Sequence, residues 1–247
     1  MDAISSWFAS VQEWFVTVGA NIQHWFTRYF VDNGATEWWL TGLKTTILVT
    51  LLALVIGIIL GFLVAIVRST HEQTGKLKFL NAIAKIYLTI IRGTPTMVQV
   101  LICYSIVFAS VNLDNIIIGG IAFGINSGAY VAEIVRSGIM SIDKGQMEAG
   151  RSLCLSSGQT MKLIIMPQAF KNVLPALINE MIVLLKETSI IGYIGTIDIT
   201  KAATLVQSRT YEAYVPLLSA AAFYLVLVML LTYFMGKLER RLRRSDH

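Results

Sequence analysis

The sequence predicts an all-α integral membrane protein with five transmembrane helices and an N-terminal amphipathic helix at the membrane interface. Three observations lead to this fold class: a strongly apolar composition, long stretches without charged residues, and basic residues concentrated between those stretches. Of the 247 residues, 55% are hydrophobic and only 14% are charged. This balance is too apolar for a soluble domain and is typical of a chain that crosses a membrane several times.

Four charge-free stretches are long enough, one of them only marginally, to cross the hydrocarbon core as helices. They are Thr45–Val67, Gly93–Leu113, Asn115–Ala132 and Ala213–Gly236. We expect the second crossing to begin earlier, near Ile83. A fifth candidate, Leu163–Ile194, contains prolines and charged residues, and the sequence predicts that this span is interrupted.

The positions of lysine and arginine support the fifth crossing and set the orientation. Basic clusters follow the first span, the third span and the last span, and the positive-inside rule places all three on the cytoplasmic side. The loop after the third span and the C-terminal tail share a side only if two crossings lie between them. We therefore expect the N-terminus outside and the basic tail, residues 241–247, in the cytoplasm.

Residues 1–40 form a distinct N-terminal segment that contains all five tryptophans. Apolar residues recur there every three or four positions and define one helical face. They are Trp7, Val11, Trp14, Val18, Ile22, Trp25 and Tyr29. The pattern favours an amphipathic helix in the outer membrane interface, where indole rings prefer to lie. The alternative is a helix that packs on the outer surface of the protein itself.

Small residues line one face of two predicted spans. The first span contains Ala53, Gly57, Gly61 and Ala65, and the third contains Gly120, Gly124, Gly128 and Ala132. A spacing of four places each set on one stripe, where another helix can approach closely. The pattern predicts tight helix contacts within or between protomers.

The sequence lacks the residues that several kinds of catalytic and binding site require. The sequence contains no GxxxxGK[ST] motif, so we expect no ATP hydrolysis by this chain alone. It contains no HExxH motif and its three histidines are scattered, so it predicts no metal site, no cofactor and no catalytic nucleophile–base pair. The net charge of +5 is explained by membrane topology rather than by nucleic-acid binding.

The polar segment between the third and fourth spans carries the most informative motif. It reads Glu148-Ala149-Gly150-Arg151-Ser152-Leu153-Cys154-Leu155, followed by Ile164, Met166 and Pro167. It resembles the EAA loop of ATP-binding-cassette (ABC) importer permeases, in which Glu-Ala-Ala is followed by Gly six residues after the Glu and then by Ile-x-Leu-Pro. Glu148, Ala149, Ile164 and Pro167 match this motif, whereas Gly150, Cys154 and Met166 depart from it.

The local sequence also predicts the conformation of this loop. We expect a short helix from Gly145 to Leu153 and a second helix that begins with a capping box at Ser156 and Gln159. In the family, the glycine would supply a left-handed turn between the two helices. If the backbone is left-handed at Cys154, cysteine costs about 1 kcal/mol more than glycine there.

Further motifs resemble those of the polar-amino-acid importer permeases over roughly residues 42–240. They are Thr45-Thr46-Ile47-Leu48, Arg92-Gly93-Thr94-Pro95 followed by Gln99, Tyr130-x-x-Glu133-x-x-Arg136, Pro167-Gln168-Ala169-Phe170, Leu174-Pro175-Ala176, Asn179-Glu180 and Leu185-Lys186-Glu187-Thr188-Ser189. The resemblance implies a transmembrane domain at 41–240 with an ATPase-coupling loop at 143–167. It implies the permease subunit of an importer for a polar or charged amino acid in the bacterial plasma membrane.

The same resemblance implies partners and site residues. The partners are two cytoplasmic ATPase subunits, a second permease chain that is identical or homologous, and an external solute-binding protein that delivers the amino acid. The coupling site comprises Glu148, Ala149, Gly150, Arg151 and Cys154, with Glu148 in contact with the ATPase.

Two groups of polar residues within the spans need separate interpretations. Glu133 and Arg136 are three residues apart near a cytoplasmic end, where a structural anchor is favoured over a substrate site. Glu180 lies near mid-span, where a carboxylate costs about 3 kcal/mol unless it faces water or a partner. It either lines the substrate path, together with Asn179, or forms a buried pair with a lysine such as Lys171 or Lys186.

A different class of transporter would also explain the spans. A secondary amino-acid transporter driven by an ion gradient accounts for Glu180. It leaves the short helix predicted from Gly145 to Leu153 in the coupling loop without a role. A membrane-embedded enzyme would need a cluster of His, Cys, Ser or acidic residues at catalytic depth, which the sequence does not show. The resemblance names neither the amino acid nor the second permease chain.

Overall fold

The structure is a computed structural model that describes residue 17 and residues 19–243. The described residues form helices and connecting turns and contain no strand, which confirms the all-α prediction. The helices are α1 (Ala35–Thr74), α2 (Lys78–Gly93), α3 (Thr96–Ile102), α4 (Asn115–Met140), α5 (Lys144–Ser152), α6 (Ser157–Thr160), α7 (Met166–Glu187), α8 (Ile199–Thr210) and α9 (Tyr214–Arg243). Short π-helical or 3₁₀ segments lie at Thr27–Val31, Asp32–Gly34, Cys103–Val107, Met161–Ile165 and Thr188–Ile194.

Several helices have the length and composition of membrane spans. Among the described residues, α1, α4 and α9 qualify alone, and α2 with Thr96–Val107 qualifies as a bent pair. Helix α7 covers most of the predicted crossing Leu163–Ile194, but it carries four charged residues and is not among these spans. A crossing by Leu163–Ile194 therefore remains a prediction from the positions of the basic clusters.

Helices α1 and α4 pack through the two predicted stripes of small residues. All eight residues of the two stripes are buried. A Cβ atom added at Gly61 would lie 2.5 Å from Val131 Cγ1, and one added at Gly124 would lie 2.6 Å from Ile56 Cβ. The absence of these Cβ atoms lets the two backbones approach closely. These contacts lie within one chain, which decides the question that the sequence left open.

The predicted second crossing is not a straight helix. Helices α2 and α3 meet at an angle of 110°, and the break falls at Thr94 and Pro95. Thr94 is extended, with φ −124° and ψ 148°, as expected for a residue before proline. Pro95 also has no N–H to continue the helical hydrogen bonds. The predicted second crossing, from near Ile83 to Leu113, is therefore bent at Thr94 and Pro95.

The side chain of Gln99 stabilises this bend. Its amide nitrogen lies 2.8 Å from the Ile91 carbonyl oxygen, 3.0 Å from the Thr94 carbonyl oxygen and 2.7 Å from Thr94 Oγ1. The Asn126 amide on α4 donates to Gln99 Oε1 at 2.9 Å. Carbonyl groups freed by the proline are thus satisfied without water, as an apolar environment requires.

Helix α7 is continuous, which corrects the prediction of an interrupted fourth span. Pro167 is the second residue of α7 and directly follows the π-helical segment Met161–Ile165. Pro175 lies inside the helix, and the helix continues past it to Glu187. Helices in membrane proteins tolerate internal proline because neighbouring groups satisfy the freed carbonyl.

The N-terminal segment packs on the protein itself where it meets α1. Tyr29 is only 3% exposed, the indole of Trp39 donates to the Tyr29 carbonyl at 3.1 Å, and the Tyr29 hydroxyl bonds to the Glu212 carboxylate. Ile22 and Trp25, by contrast, are 62% and 45% exposed. The remaining four residues of the predicted face, Trp7, Val11, Trp14 and Val18, lie outside the described residues. The interfacial helix before Tyr29 therefore remains a prediction.

Hydrogen bonds and close packing hold the start of α8 against α1 and α9. The Asp198 side chain accepts from the backbone N–H groups of Thr200 and Lys201 and from the Tyr224 hydroxyl, at 2.9, 3.0 and 3.2 Å. Burial raises the pKa of Asp198, and these hydrogen bonds oppose that rise. On α1, Gly42 leaves room for the Asp198 carbonyl, which would lie 2.7 Å from an added Cβ atom.

The close approach of α1 and α4 predicts a specific effect of Gly61→Ala. The new methyl group would overlap Val131 and the Ala132 backbone, so we expect the free energy of unfolding to fall by about 1–3 kcal/mol. Gly236→Ala in α9 is the matched control, because nothing lies within 4 Å of its added Cβ atom. Thermal unfolding in detergent measures both. An unchanged midpoint for Gly61→Ala would contradict the described packing.

Candidate functional site

The loop after α4 folds as the sequence predicts. Helix α5 begins one residue before the predicted start, and the Asp143 side chain caps it by accepting from Gly145 N–H at 2.6 Å. The second helix begins with the predicted capping box: Gln159 N–H donates to Ser156 Oγ at 3.3 Å, and Ser156 N–H donates to Gln159 Oε1 at 2.8 Å. Both helix starts thus satisfy backbone donors with local side chains.

The turn between these helices is left-handed at Cys154, with φ 61°. Leu155 N–H donates to the Gly150 carbonyl at 3.2 Å, and Cys154 N–H donates to the Arg151 carbonyl at 3.0 Å. This pair of hydrogen bonds is the Schellman motif, in which the left-handed residue is usually glycine. The predicted left-handed conformation is confirmed, and cysteine occupies it at a conformational cost of about 1 kcal/mol.

Gly150 stands where the EAA motif has its second alanine, and the packing of the helix explains this replacement. It is buried against Thr160 of α6. A Cβ atom at residue 150 would lie 2.4 Å from Thr160 Cγ2 and 2.7 Å from Thr160 Oγ1. Alanine would therefore not fit unless α6 moved away from α5.

The opposite side of α5 is exposed. Glu148, Ala149 and Arg151 are exposed, and Leu153 at the end of the helix is 74% exposed. A cleft of 470 Å³ runs along this side between α5, the end of α1 and the end of α4. A short, doubly capped helix with an exposed apolar residue beside charged ones is a surface on which a protein partner can dock.

Four charged side chains close a ring near this loop. The distances are 2.9 Å for Arg68 Nη1–Glu133 Oε1, 3.3 Å for Arg68 Nη2–Glu72 Oε1, 3.0 Å for Arg136 Nη2–Glu133 Oε2 and 3.5 Å for Arg136 Nη1–Glu72 Oε2. The sequence predicted only the pair within α4. The contributions of Arg68 and Glu72 depend on the packing of α1 against α4. The ring joins the ends of both helices, as expected for a structural anchor.

Glu180 lies on α7 and faces α4. It is half-buried, and the Ser127 hydroxyl donates to its carboxylate Oε1 at 3.0 Å. Lys171 is nine residues away on the same continuous helix, about 13 Å along its axis, and Lys186 is about 9 Å away. Helix geometry therefore does not support the buried lysine pair that the sequence left open. The neighbouring Asn179 is exposed.

The structure thus places the predicted site residues in two groups on one connected segment. The coupling-loop group lies on α5 and the following turn. Asn179 and Glu180 lie on α7, which begins directly after the loop through the π-helical segment Met161–Ile165. Ser127 was missed as a partner of Glu180. Its position on α4 beside the predicted glycine stripe was the available signal.

The long apolar helices are those of a membrane protein, and the capped loop gives it an exposed polar surface. A family model described as "Binding-protein-dependent transport system inner membrane component" matches residues 57–244. The chain belongs to this family of ABC transporter permeases.

Individual proteins agree with this assignment. The arginine transport system permease protein ArtQ of Bacillus subtilis is 36% identical over 209 residues, which cover 84% of this chain and 93% of ArtQ. The glutamine transport system permease protein GlnP of Escherichia coli K12 is 33% identical over 205 residues, covering 82% and 91%. A crystal structure of an amino acid ABC transporter with histidines has a TM-score of 0.77 and 38% identity, covering 86% of this chain and 98% of the other.

The left-handed turn predicts opposite effects of glycine at the two cysteines. Cys154→Gly removes the steric cost of φ 61°, so we expect the coupling loop to be unchanged or stabilised by up to about 1 kcal/mol. Cys103→Gly is the matched control, because Cys103 is right-handed within a helical segment and glycine there costs about 0.5–1 kcal/mol. Hydrogen exchange of residues 144–160 and thermal unfolding measure the two changes. Faster exchange in Cys154→Gly would contradict the described turn.

Proposed function

We propose that this chain is the transmembrane permease subunit of an ABC importer for a polar or charged amino acid. The observation that carries the proposal is the exposed, doubly capped helix α5, on a loop that continues directly into α7. The relatives named above, which are arginine and glutamine transport permeases, support the substrate class. The chain itself supplies no ATPase site, so a separate ATPase provides the energy.

The proposed assembly follows from the family's use of binding proteins and ATPases. Two ATPase subunits dock on the cytoplasmic side against the α5 surface, and a second permease chain completes the path. A solute-binding protein delivers the amino acid on the outer side of the membrane, where α1 and α8 begin. The basic clusters orient the chain with its C-terminus in the cytoplasm.

The proposed coupling runs from α5 to α7 through packed contacts. Gly150 fixes α5 on Thr160 of α6, and the π-helical segment joins α6 to α7. Helix α7 is packed tightly on α4, since a Cβ atom at Gly138 would lie 2.0 Å from Val173 Cγ2. A displacement of α5 by the ATPase therefore moves the N-terminal end of α7 against α4, which biases the path between its two states.

The proposed substrate contact is Glu180. A half-buried carboxylate whose described hydrogen-bond partner is one hydroxyl retains acceptor capacity on its second oxygen. An ammonium or guanidinium group of a transported amino acid would supply charge-assisted donors to it. Asn179, the exposed neighbour, is the second residue that we assign to the path.

Charge reversal at Glu148 tests the coupling role. We expect Glu148→Lys to abolish transport and the stimulation of ATP hydrolysis by the loaded binding protein, because the exposed docking surface would then repel a complementary partner. Membrane insertion should stay normal, since Glu148 is exposed and makes no core contact. Transport and ATPase activity in proteoliposomes, with insertion checked by fractionation, measure these effects.

Gln146→Lys is the control for this experiment. Gln146 is exposed on the same helix but is not part of the assigned coupling residues. It should keep most of the stimulated ATPase activity. Full stimulation in Glu148→Lys would contradict the docking role. Transport by the purified chain without an ATPase, driven by an ion gradient, would instead favour the secondary-transporter class.

Neutralising Glu180 tests the substrate path. We expect Glu180→Gln to insert and assemble normally, because its partner Ser127 is an uncharged hydroxyl that can bond to an amide. Uptake should fall at least about tenfold or change in selectivity, since a charge-assisted hydrogen bond contributes roughly 1.5–3 kcal/mol. Uptake of radiolabelled amino acids measures the change.

Lys186→Gln is the matched control for Glu180→Gln. Lys186 is exposed on the same helix, so its loss should leave both stability and uptake close to those of the natural protein. If Glu180 formed a buried ion pair instead, removing either charge would destabilise the complex by about 3–5 kcal/mol. A stable and fully active Glu180→Gln transporter with unaltered selectivity would eliminate the substrate role.

A further inference from the structure

A basic pocket lies between α1, α2 and α4, beyond the coupling loop and the proposed substrate path. Its volume is 360 Å³, and it is lined by Arg68, Lys85, Leu88, Thr89, Arg92 and Glu133. Arg68 comes from the end of α1, Lys85 and Arg92 from α2, and Glu133 from α4. Three of the four charged residues are therefore positive.

The acidic residue of the pocket is already neutralised. Glu133 belongs to the closed ring with Arg68, Glu72 and Arg136, in which two acidic and two basic side chains balance. Lys85 and Arg92 form no ion pair with any described residue. The guanidinium of Arg92 lies 5.8 Å from the centre of the Tyr130 ring, which orients it without neutralising its charge.

One buried donor in the pocket also has no protein partner. Arg68 Nε is buried and forms no hydrogen bond with the described residues. Its side chain is only 15% exposed, because both terminal nitrogens are held in the ring. This N–H is shielded from the pocket, so the groups that can reach an anion there are the exposed, unpaired side chains of Lys85 and Arg92.

The position of the pocket favours a ligand at the membrane surface. Lys78, Lys85 and Arg92 recur every seven residues on α2 and thus share one face. A second stripe of α2 is apolar and exposed, and consists of Phe79, Ile83, Ile86 and Ile90. A helix with one basic and one exposed apolar stripe is typical of segments at the border between headgroups and acyl chains.

We infer that this pocket binds the phosphodiester headgroup of an anionic phospholipid of the cytoplasmic leaflet. The lipid phosphate accepts from Lys85 and Arg92, and its acyl chains cover the apolar stripe of α2. Bound in this way, the headgroup lies in the pocket between α1, α2 and α4. Basic pockets between transmembrane helices on the cytoplasmic side are suited to such headgroups.

The experiment is a native mass spectrometry titration of the complete transporter, permease with its ATPase, in detergent. Phosphatidylglycerol should bind, and zwitterionic phosphatidylcholine should not. Lys85→Gln combined with Arg92→Gln should weaken phosphatidylglycerol binding about 30-fold, which corresponds to roughly 1 kcal/mol for each removed basic residue. The charge-preserving pair Lys85→Arg and Arg92→Lys should keep most of the affinity.

A charge-matched control separates this site from general attraction. Lys76→Gln combined with Arg240→Gln also removes one lysine and one arginine, from exposed positions outside the pocket. It should bind the lipid as the natural protein does. Equal weakening in both double variants would overturn the site.

Two further outcomes would overturn the assignment to a lipid. If millimolar inorganic phosphate displaces phosphatidylglycerol, the pocket takes a free anion instead. If Lys85→Cys forms a covalent dimer of permease chains within the intact transporter, the second permease chain covers the pocket. Failure of the Glu148 and Glu180 predictions would not affect this result, because the titration measures lipid binding and not transport.

Discussion

The close packing of α1 against α4 is the constraint on which the other features of this protein depend. It is possible because glycines on each helix leave room for side chains of the other, with Val131 beside Gly61 and Ile56 beside Gly124. It places Arg68 and Glu72 within reach of Glu133 and Arg136. The same packing surrounds α4 with the remaining elements, so that one buried helix organises the bend, the charged ring and the path.

Helix α4 contributes polar groups to each of these features. Asn126 holds Gln99 at the bend between α2 and α3, whereas the adjacent Ser127 bonds to Glu180 on α7. Asn126 is buried, so the hydrogen bond that supports the bend is completed within the protein and not by water. The position of Glu180 is therefore linked to the same helix that supports the bend.

The departures from the family motif in the coupling loop have local physical reasons. The replacement of alanine by Gly150 matches the close approach of Thr160, since a Cβ atom would overlap its side chain. The replacement of glycine by Cys154 does not change the turn, because the Schellman hydrogen bonds are present despite the conformational cost. A motif can therefore keep its geometry while its residues change, when neighbouring packing compensates.

The sequence by itself determined the features that depend on neighbours within a few residues. Apolar runs predicted the helices, and Ser156 with Gln159 predicted the capping box, because hydropathy and capping act locally. Only the tertiary structure decided the bend at Pro95, the continuity of α7 through Pro175, and the partners of Glu133 and Glu180 on other helices. Pro95 and Pro175 look alike in sequence, but one lies at a bend and the other inside a continuous helix, and the groups that bond to Glu133 and Glu180 come from α1 and α4. Which distant helix supplies such a group depends on packing, and that information is not contained in any short stretch of residues.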